Sequence, residues 1–174
     1  GRYEYLLSGW QKVNGTWYWF DPATKEGSVP EKAENNWITL NGDVYYFRNG
    51  TSLVKGWQII HVDGVNGRYY FDGNGILQKG LFTVGRSRYY TNEETGKAEA
   101  VFKTFNGKTY YFDGNGLMRT GWISVKGTDS ITRTYYFNGN GEMLKGICWI
   151  GSTRYVFDPV TGERITDSVV IDGK

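Results

Sequence analysis

Hydrophobic positions along the chain recur as a motif, with no helical period anywhere. An aromatic triplet appears seven times: Tyr18-Trp19-Phe20, Tyr45-Tyr46-Phe47, Tyr69-Tyr70-Phe71, Tyr89-Tyr90-Thr91, Tyr110-Tyr111-Phe112, Tyr135-Tyr136-Phe137 and Tyr155-Val156-Phe157. Eight residues or slightly more before each triplet stands a large apolar residue, in order Trp10, Trp37, Trp57, Leu81, Phe102, Trp122 and Ile147, usually preceded by glycine. Self-similarity at a short period is the signature of a repeat architecture.

Between these marks lie tight-turn signals. Asn14-Gly15, Asn41-Gly42 and Asn106-Gly107 supply the positive φ angles of type I′ hairpin turns, and Gly85-Arg86 and Gly151-Ser152 fit the glycine-first type II′ alternative. The third and sixth copies have longer arms, with turns at Asp63-Gly64 and around Thr128-Asp129-Ser130. After each triplet a second turn, such as Asp72-Gly73-Asn74-Gly75 or Asp158-Pro159, leads to the next copy. Each copy is therefore a β-hairpin, and a lone hairpin is marginal in water, so neighbours must bury one another's apolar faces. The prediction is an all-β solenoid of stacked hairpins of about 20–22 residues, one module over 1–174, with repeats at 9–33, 34–55, 56–79, 80–100, 101–120, 121–145 and 146–174.

Pairing across the turns sorts side chains by face. In the second hairpin Ile38, Leu40, Tyr45 and Phe47 share one face, and Trp37, Thr39, Val44 and Tyr46 share the other. Phe has no polar tip to keep wet, so the Phe face is expected to be the core. The opposite face then carries the candidate contact surface: Trp10 with Trp19, Trp37 with Tyr46, Trp57 with Tyr70, Phe102 with Tyr111, and Trp122 with Tyr136, with Tyr90 beside Leu81. The alternative for each of these residues is that the next hairpin packs on this face too and makes them structural glue. The last pair, Ile147 and Val156, has lost its aromatic character, as expected of a terminal repeat.

Composition agrees with a protein that has many small aromatic contacts and no large aliphatic core: 17% of residues are aromatic and 25 are glycine. The net charge of +2 comes from 20 basic and 18 acidic residues interspersed along the chain, so no nucleic-acid partner is expected. No long apolar segment is present, so no membrane insertion is expected; an export signal would lie upstream. The single cysteine, Cys148, excludes a disulfide framework and is expected to be a buried, inert thiol.

Gly56-Trp57 through Gly75, and Phe102 through Gly116, follow the order of an apolar residue, then a glycine-containing turn, then Tyr-Tyr-Phe-Asp, then Gly-Asn-Gly. This pattern resembles the cell-wall-binding repeat superfamily, which includes choline-binding, glucan-binding and clostridial toxin-type repeats. The resemblance implies a non-catalytic module of a secreted or surface protein of a Gram-positive organism, binding a glycan or cell-wall polymer or, alternatively, choline. A structural spacer or protein-interaction arm is the third reading. Choline-binding members build a cage from the initial Trp, a second Trp just before the Tyr pair, and an aromatic from a neighbouring repeat. That second position is Trp17 once and otherwise Val44, Arg68, Arg88, Thr109, Thr134 and Arg154, so a choline cage is expected only near Trp10, Trp17 and Trp19. The arginines suit a hydroxyl-rich ligand instead, because they donate several hydrogen bonds beside a stacking surface. Leu77-Gln78-Lys79-Gly80 resembles the polar side of glucan-binding pockets, which adds Gln78 and Lys79 to the candidates.

Catalysis is not expected. His61 is the sole histidine and lies near a turn, and no nucleophile elbow is present. Asp21, Asp72, Asp113 and Asp158 occupy one recurring place, where a turn former is needed. Their loops lack the remaining ligands of a calcium loop, so neither a metal nor a cofactor is expected.

Overall fold

The computed structural model describes residues 9–13, 16–20, 37–48 and 52–166, the first two segments by backbone alone. The described residues form seven antiparallel hairpins and no helix. In chain order these are β1 (Gly9–Val13) with β2 (Thr16–Phe20), β3 (Trp37–Leu40) with β4 (Asp43–Arg48), and, after the short β5 (Ser52–Leu53), β6 (Gly56–Val62) with β7 (Val65–Phe71). They continue as β8 (Gly80–Val84) with β9 (Ser87–Thr91), β10 (Val101–Phe105) with β11 (Lys108–Phe112), β12 (Gly121–Lys126) with β13 (Thr132–Phe137), and β14 (Gly146–Ile150) with β15 (Thr153–Phe157).

The turns have the conformations their residues dictate. Asn41 and Gly42, Asp63 and Gly64, and Asn106 and Gly107 all have positive φ, which makes type I′ turns. Gly85 and Gly151 are positive alone, as type II′ requires. The sixth hairpin closes through Gly127 N–H to Ile131 O at 2.8 Å, with Asp129 Oδ1 accepting from Ile131 N–H at 3.0 Å. Asn14-Gly15 lies outside the described residues.

In the third to seventh repeats the second turn is an Asx turn, while Asp21 and its turn lie outside the described residues. Asp72 Oδ1 accepts from Asn74 and Ile76 N–H, Asp113 Oδ1 from Asn115 and Leu117, Asn138 Oδ1 from Asn140 and Glu142, and Asp158 Oδ1 from Val160 and Thr161. These carboxylates are turn formers, as their recurrence implied. The turn delivers a short connector that bonds to two hairpins. Leu77, Ala98, Met118, Met143 and Arg164 each donate a backbone N–H to the preceding hairpin, at Val44, Arg68, Arg88, Thr109 and Thr134 O respectively. The following residues Gln78, Arg119, Leu144 and Ile165 donate to Tyr70, Tyr111, Tyr136 and Val156 O of their own hairpin. Stacking is therefore specified by backbone hydrogen bonds as well as by apolar burial.

Phe47, Phe71, Phe112, Phe137 and Phe157 are fully buried, as the face assignment required. Burying one such ring contributes about 1.5–3 kcal/mol, so these five positions dominate the apolar stabilisation. Thr91, which replaces Phe in the fourth triplet, is buried too, and its hydroxyl donates to Gln78 O at 2.8 Å. The described residues group into two compact units: one runs to Gly80 and includes Thr91–Ala98, and the other comprises Leu81–Tyr90 and the residues from Glu99 onward. In the first unit Val54, Ile60, Tyr69, Phe71 and Leu77 form the core cluster.

Candidate functional site

The strand register places the expected aromatic partners directly opposite each other: Trp10 with Trp19, Trp37 with Tyr46, Trp57 with Tyr70, Phe102 with Tyr111 and Trp122 with Tyr136. The four pairs with described side chains have ring centroids 4.9–5.1 Å apart. Trp17 pairs with Lys12, but the rings of Trp10, Trp17 and Trp19 lie outside the described side chains.

The expectation of a free aromatic face needs correction. Trp37 packs on Tyr69 and Phe71 of the next hairpin at 5.2 and 5.9 Å, Phe102 on Tyr135 and Phe137 at 5.1 and 6.3 Å, and Trp122 on Tyr155 and Phe157 at 5.0 and 6.0 Å. The initial aromatic residue of one hairpin is thus a lid over the Phe core of the next, because the connector holds the two close. Tyr90, expected beside Leu81 on the contact surface, is instead buried against Phe105 and Phe112. Most of these rings are half-buried, whereas Trp122 remains 41% exposed.

Openings between successive hairpins remain. Between the fourth and fifth lies a cleft of about 470 Å³, lined by Leu81, Arg88, Phe105, Lys108, Tyr110 and Met118 among others. Between the fifth and sixth lies one of about 280 Å³, with Phe102, Thr109, Tyr135, Met143 and Lys145 on its walls. The connector residues Met118 and Met143 were not singled out in the sequence. Their signal is positional, since each follows its Asx turn at the same distance.

Polar candidates divide into those engaged internally and those left open. Gln78 Nε2 donates to Asp72 Oδ2 at 3.3 Å and to Ile76 O at 3.2 Å, and Lys79 Nζ donates to Glu94 O at 2.8 Å, so both hold turns together. Lys55 and Lys145 make equivalent bonds to Gly73 O and Val160 O. The Arg68 guanidinium lies 4.1 Å from the Trp57 ring centroid, a cation–π contact made within one hairpin. Arg88 is exposed at the fourth cleft. Lys108 pairs with Glu142, and their hydrogen bond raises the lysine pKa and lowers that of the carboxylate. Burial raises the phenol pKa values of Tyr69, Tyr111 and Tyr135, which keeps these hydroxyls neutral as donors.

Two further residues differ in their setting. Trp149, on the same face as Ile147 and opposite Arg154, is 68% exposed; strand alternation alone would have placed it there. Cys148 is half-buried, less enclosed than expected, with Sγ 3.2 Å from Lys145 O. His61 is exposed, with Nδ1 3.0 Å from Asn66 Oδ1. Among the described residues no three His, Cys, Asp or Glu side chains converge as metal ligands, and no helix is long and apolar enough to cross a membrane.

The model of the cell wall binding repeat aligns with residues 8–22, 55–77, 102–118 and 133–143, a little over a third of the chain. These four stretches of the hairpin array are similar to the cell wall binding repeat. The array is similar to choline-binding protein F of Streptococcus pneumoniae, solved in the presence of a peptidoglycan analogue, with 26% identity and a TM-score of 0.69 over 91% of this chain and 52% of that one. It also shares the fold of CbpJ from the same organism, at 23% identity and a TM-score of 0.69, again over 91% and 52% of the two chains. A curated relative, glucosyltransferase-S of Streptococcus mutans, is 30% identical over 103 residues, 59% of this chain. The array thus spans about half of each solved relative and 6% of the glucosyltransferase.

Proposed function

We propose that the array is a non-catalytic binding module of a secreted, wall-associated protein, and that its ligand is a glucan-type glycan or related wall polymer. The observation that carries this reading is the cleft of about 470 Å³ in which Arg88 and Lys108 stand beside Phe105 and Tyr110. Rings offer stacking surfaces to flat sugar faces, while guanidinium and ammonium groups donate several hydrogen bonds to hydroxyls. The Arg88 charge opposes a quaternary ammonium ion, because like charges at about 4 Å cost several kcal/mol near a protein surface, whereas the Lys108 charge is already paired with Glu142. Similarity to a glucosyltransferase supports a glucose polymer as ligand, and similarity to a protein solved with a peptidoglycan analogue supports a wall polymer. Shallow clefts of this kind bind weakly one at a time, but linked clefts raise effective concentration when one polymer spans them.

The test is a glycan array with free choline as competitor, run on the native chain and on Arg88→Ala. Native binding to glucans, unaffected by choline and several-fold weaker in the variant, is the expected result. Retention on a quaternary-ammonium resin with elution by choline would replace this reading with a choline-dependent anchor. Binding to no glycan and no choline would leave a spacer or protein-interaction arm.

A further inference from the structure

The aromatic corner at Trp122 already holds a cation, and the chain supplies it. The Arg164 guanidinium carbon lies 5.3 Å from the Trp122 ring centroid and 5.1 Å from that of Tyr155, while the two rings meet edge to face at 5.0 Å. Tyr136 stands 5.0 Å from Trp122 on the other side. An aromatic corner with a cation within about 6 Å of two ring faces is an organic-cation site in its geometry and its electrostatics.

The position of Arg164 in its repeat makes this specific. Its backbone N–H bonds to Thr134 O at 2.7 Å, in the slot where Met143 bonds to Thr109 O and Met118 to Arg88 O. At those two places the side chain is a neutral thioether on the wall of an open cleft. At Arg164 the same backbone position sends a guanidinium across the rings. Glu163 does not draw it away, because that carboxylate pairs with Arg133 Nε at 3.2 Å.

We propose that Arg164 is a specificity-determining residue: it occupies the Trp122–Tyr155 aromatic corner in cis and so excludes free quaternary ammonium ligands from it. A tethered group is always present beside its site, so a free cation must compete with it and binds the native corner less tightly. The inference rests on the reading of the inter-hairpin openings as binding clefts, but not on the identity of the glycan.

The experiment replaces the arginine with the residue its neighbours carry, Arg164→Met, and titrates tetramethylammonium and choline while following tryptophan fluorescence and heat. The variant is expected to bind at least about tenfold more tightly than the native chain, and the added Trp122→Ala change is expected to abolish the gain. Arg164→Gln, which keeps side-chain length and removes only the charge, serves if the methionine variant does not fold. Equal affinity in the native chain and in the folded variant overturns the proposal, as does a gain that survives Trp122→Ala. Glycan retention measured on the native chain and on Arg164→Met is expected to stay unchanged. Its absence in the native chain would sink the glycan reading while leaving the cation comparison intact.

Discussion

Within the turn Asn138-Gly139-Asn140-Gly141, replacing either glycine by alanine adds one methyl group, yet the two changes are expected to differ sharply. Gly141 has φ of 81°, and a methyl there would lie 2.7 Å from Met118 Sδ of the preceding repeat. Holding alanine in the left-handed region costs about 1–2 kcal/mol. Pushing the methionine off its rotamer adds about 0.5–1.5 kcal/mol, a modest amount because the thioether is flexible. Gly139 meets nothing within 4 Å and its φ is not positive, so alanine there is expected to lie within about 1 kcal/mol of neutral. For a chain of this size, about 2–3 kcal/mol corresponds to a Tm lower by roughly 4–12 °C. Thermal and urea unfolding of Gly141→Ala and Gly139→Ala, followed by circular dichroism, check this. Equal stability of the two variants would refute the claim that the left-handed backbone and the contact between repeats together demand glycine at 141.

Burial predicts a second contrast: Phe137→Ala should cost about 3–5 kcal/mol in urea unfolding, and Trp149→Ala, at a ring 68% exposed, less than about 1 kcal/mol. The Asp129 carboxyl, held down to about 2 by its hydrogen bonds to Arg133, should titrate in the folded chain well below its ordinary 3.8. A depressed carboxylate pKa contributes stability that is full above the ordinary value and lost as pH falls through about 2, so the sixth hairpin should loosen in that window. Carbon NMR of the Asp129 carboxyl gives the midpoint directly, and a value near 3.8 would show that the ion pair is not held in solution.

Much of the fold is legible in the sequence because hairpins are local. Asn41-Gly42 and Asp63-Gly64 set their turns, each turn sets its register, and the register sets which residues share a face. The Phe core followed from that chain of steps. What a single hairpin cannot reveal is what covers its other face. Trp37 and Phe102 look free until the connectors at Leu77 and Met143 draw in the next hairpin, and those bonds join residues some thirty positions apart. Tyr90 was misplaced for the same reason, since its neighbours Phe105 and Phe112 belong to the following repeat. The role of Arg164 was hidden because its partners, Trp122 and Tyr155, come from two different hairpins.

The connectors tie each repeat near the base of its hairpin, at Arg68 and Tyr70 in the third and at Thr134 and Tyr136 in the sixth. Beyond those points side chains hold the arms, Ile60 in the core cluster and Arg133 paired with Glu163, and these two hairpins are the long ones, reaching seven and six residues per strand. Growth at the tip leaves the base in register, so length can change there without renegotiating the stack. The turns at Asp63-Gly64 and Thr128-Asp129-Ser130 are therefore natural grafting points: a loop or epitope inserted at either would be displayed at the tip of its own hairpin, away from the base that sets its register.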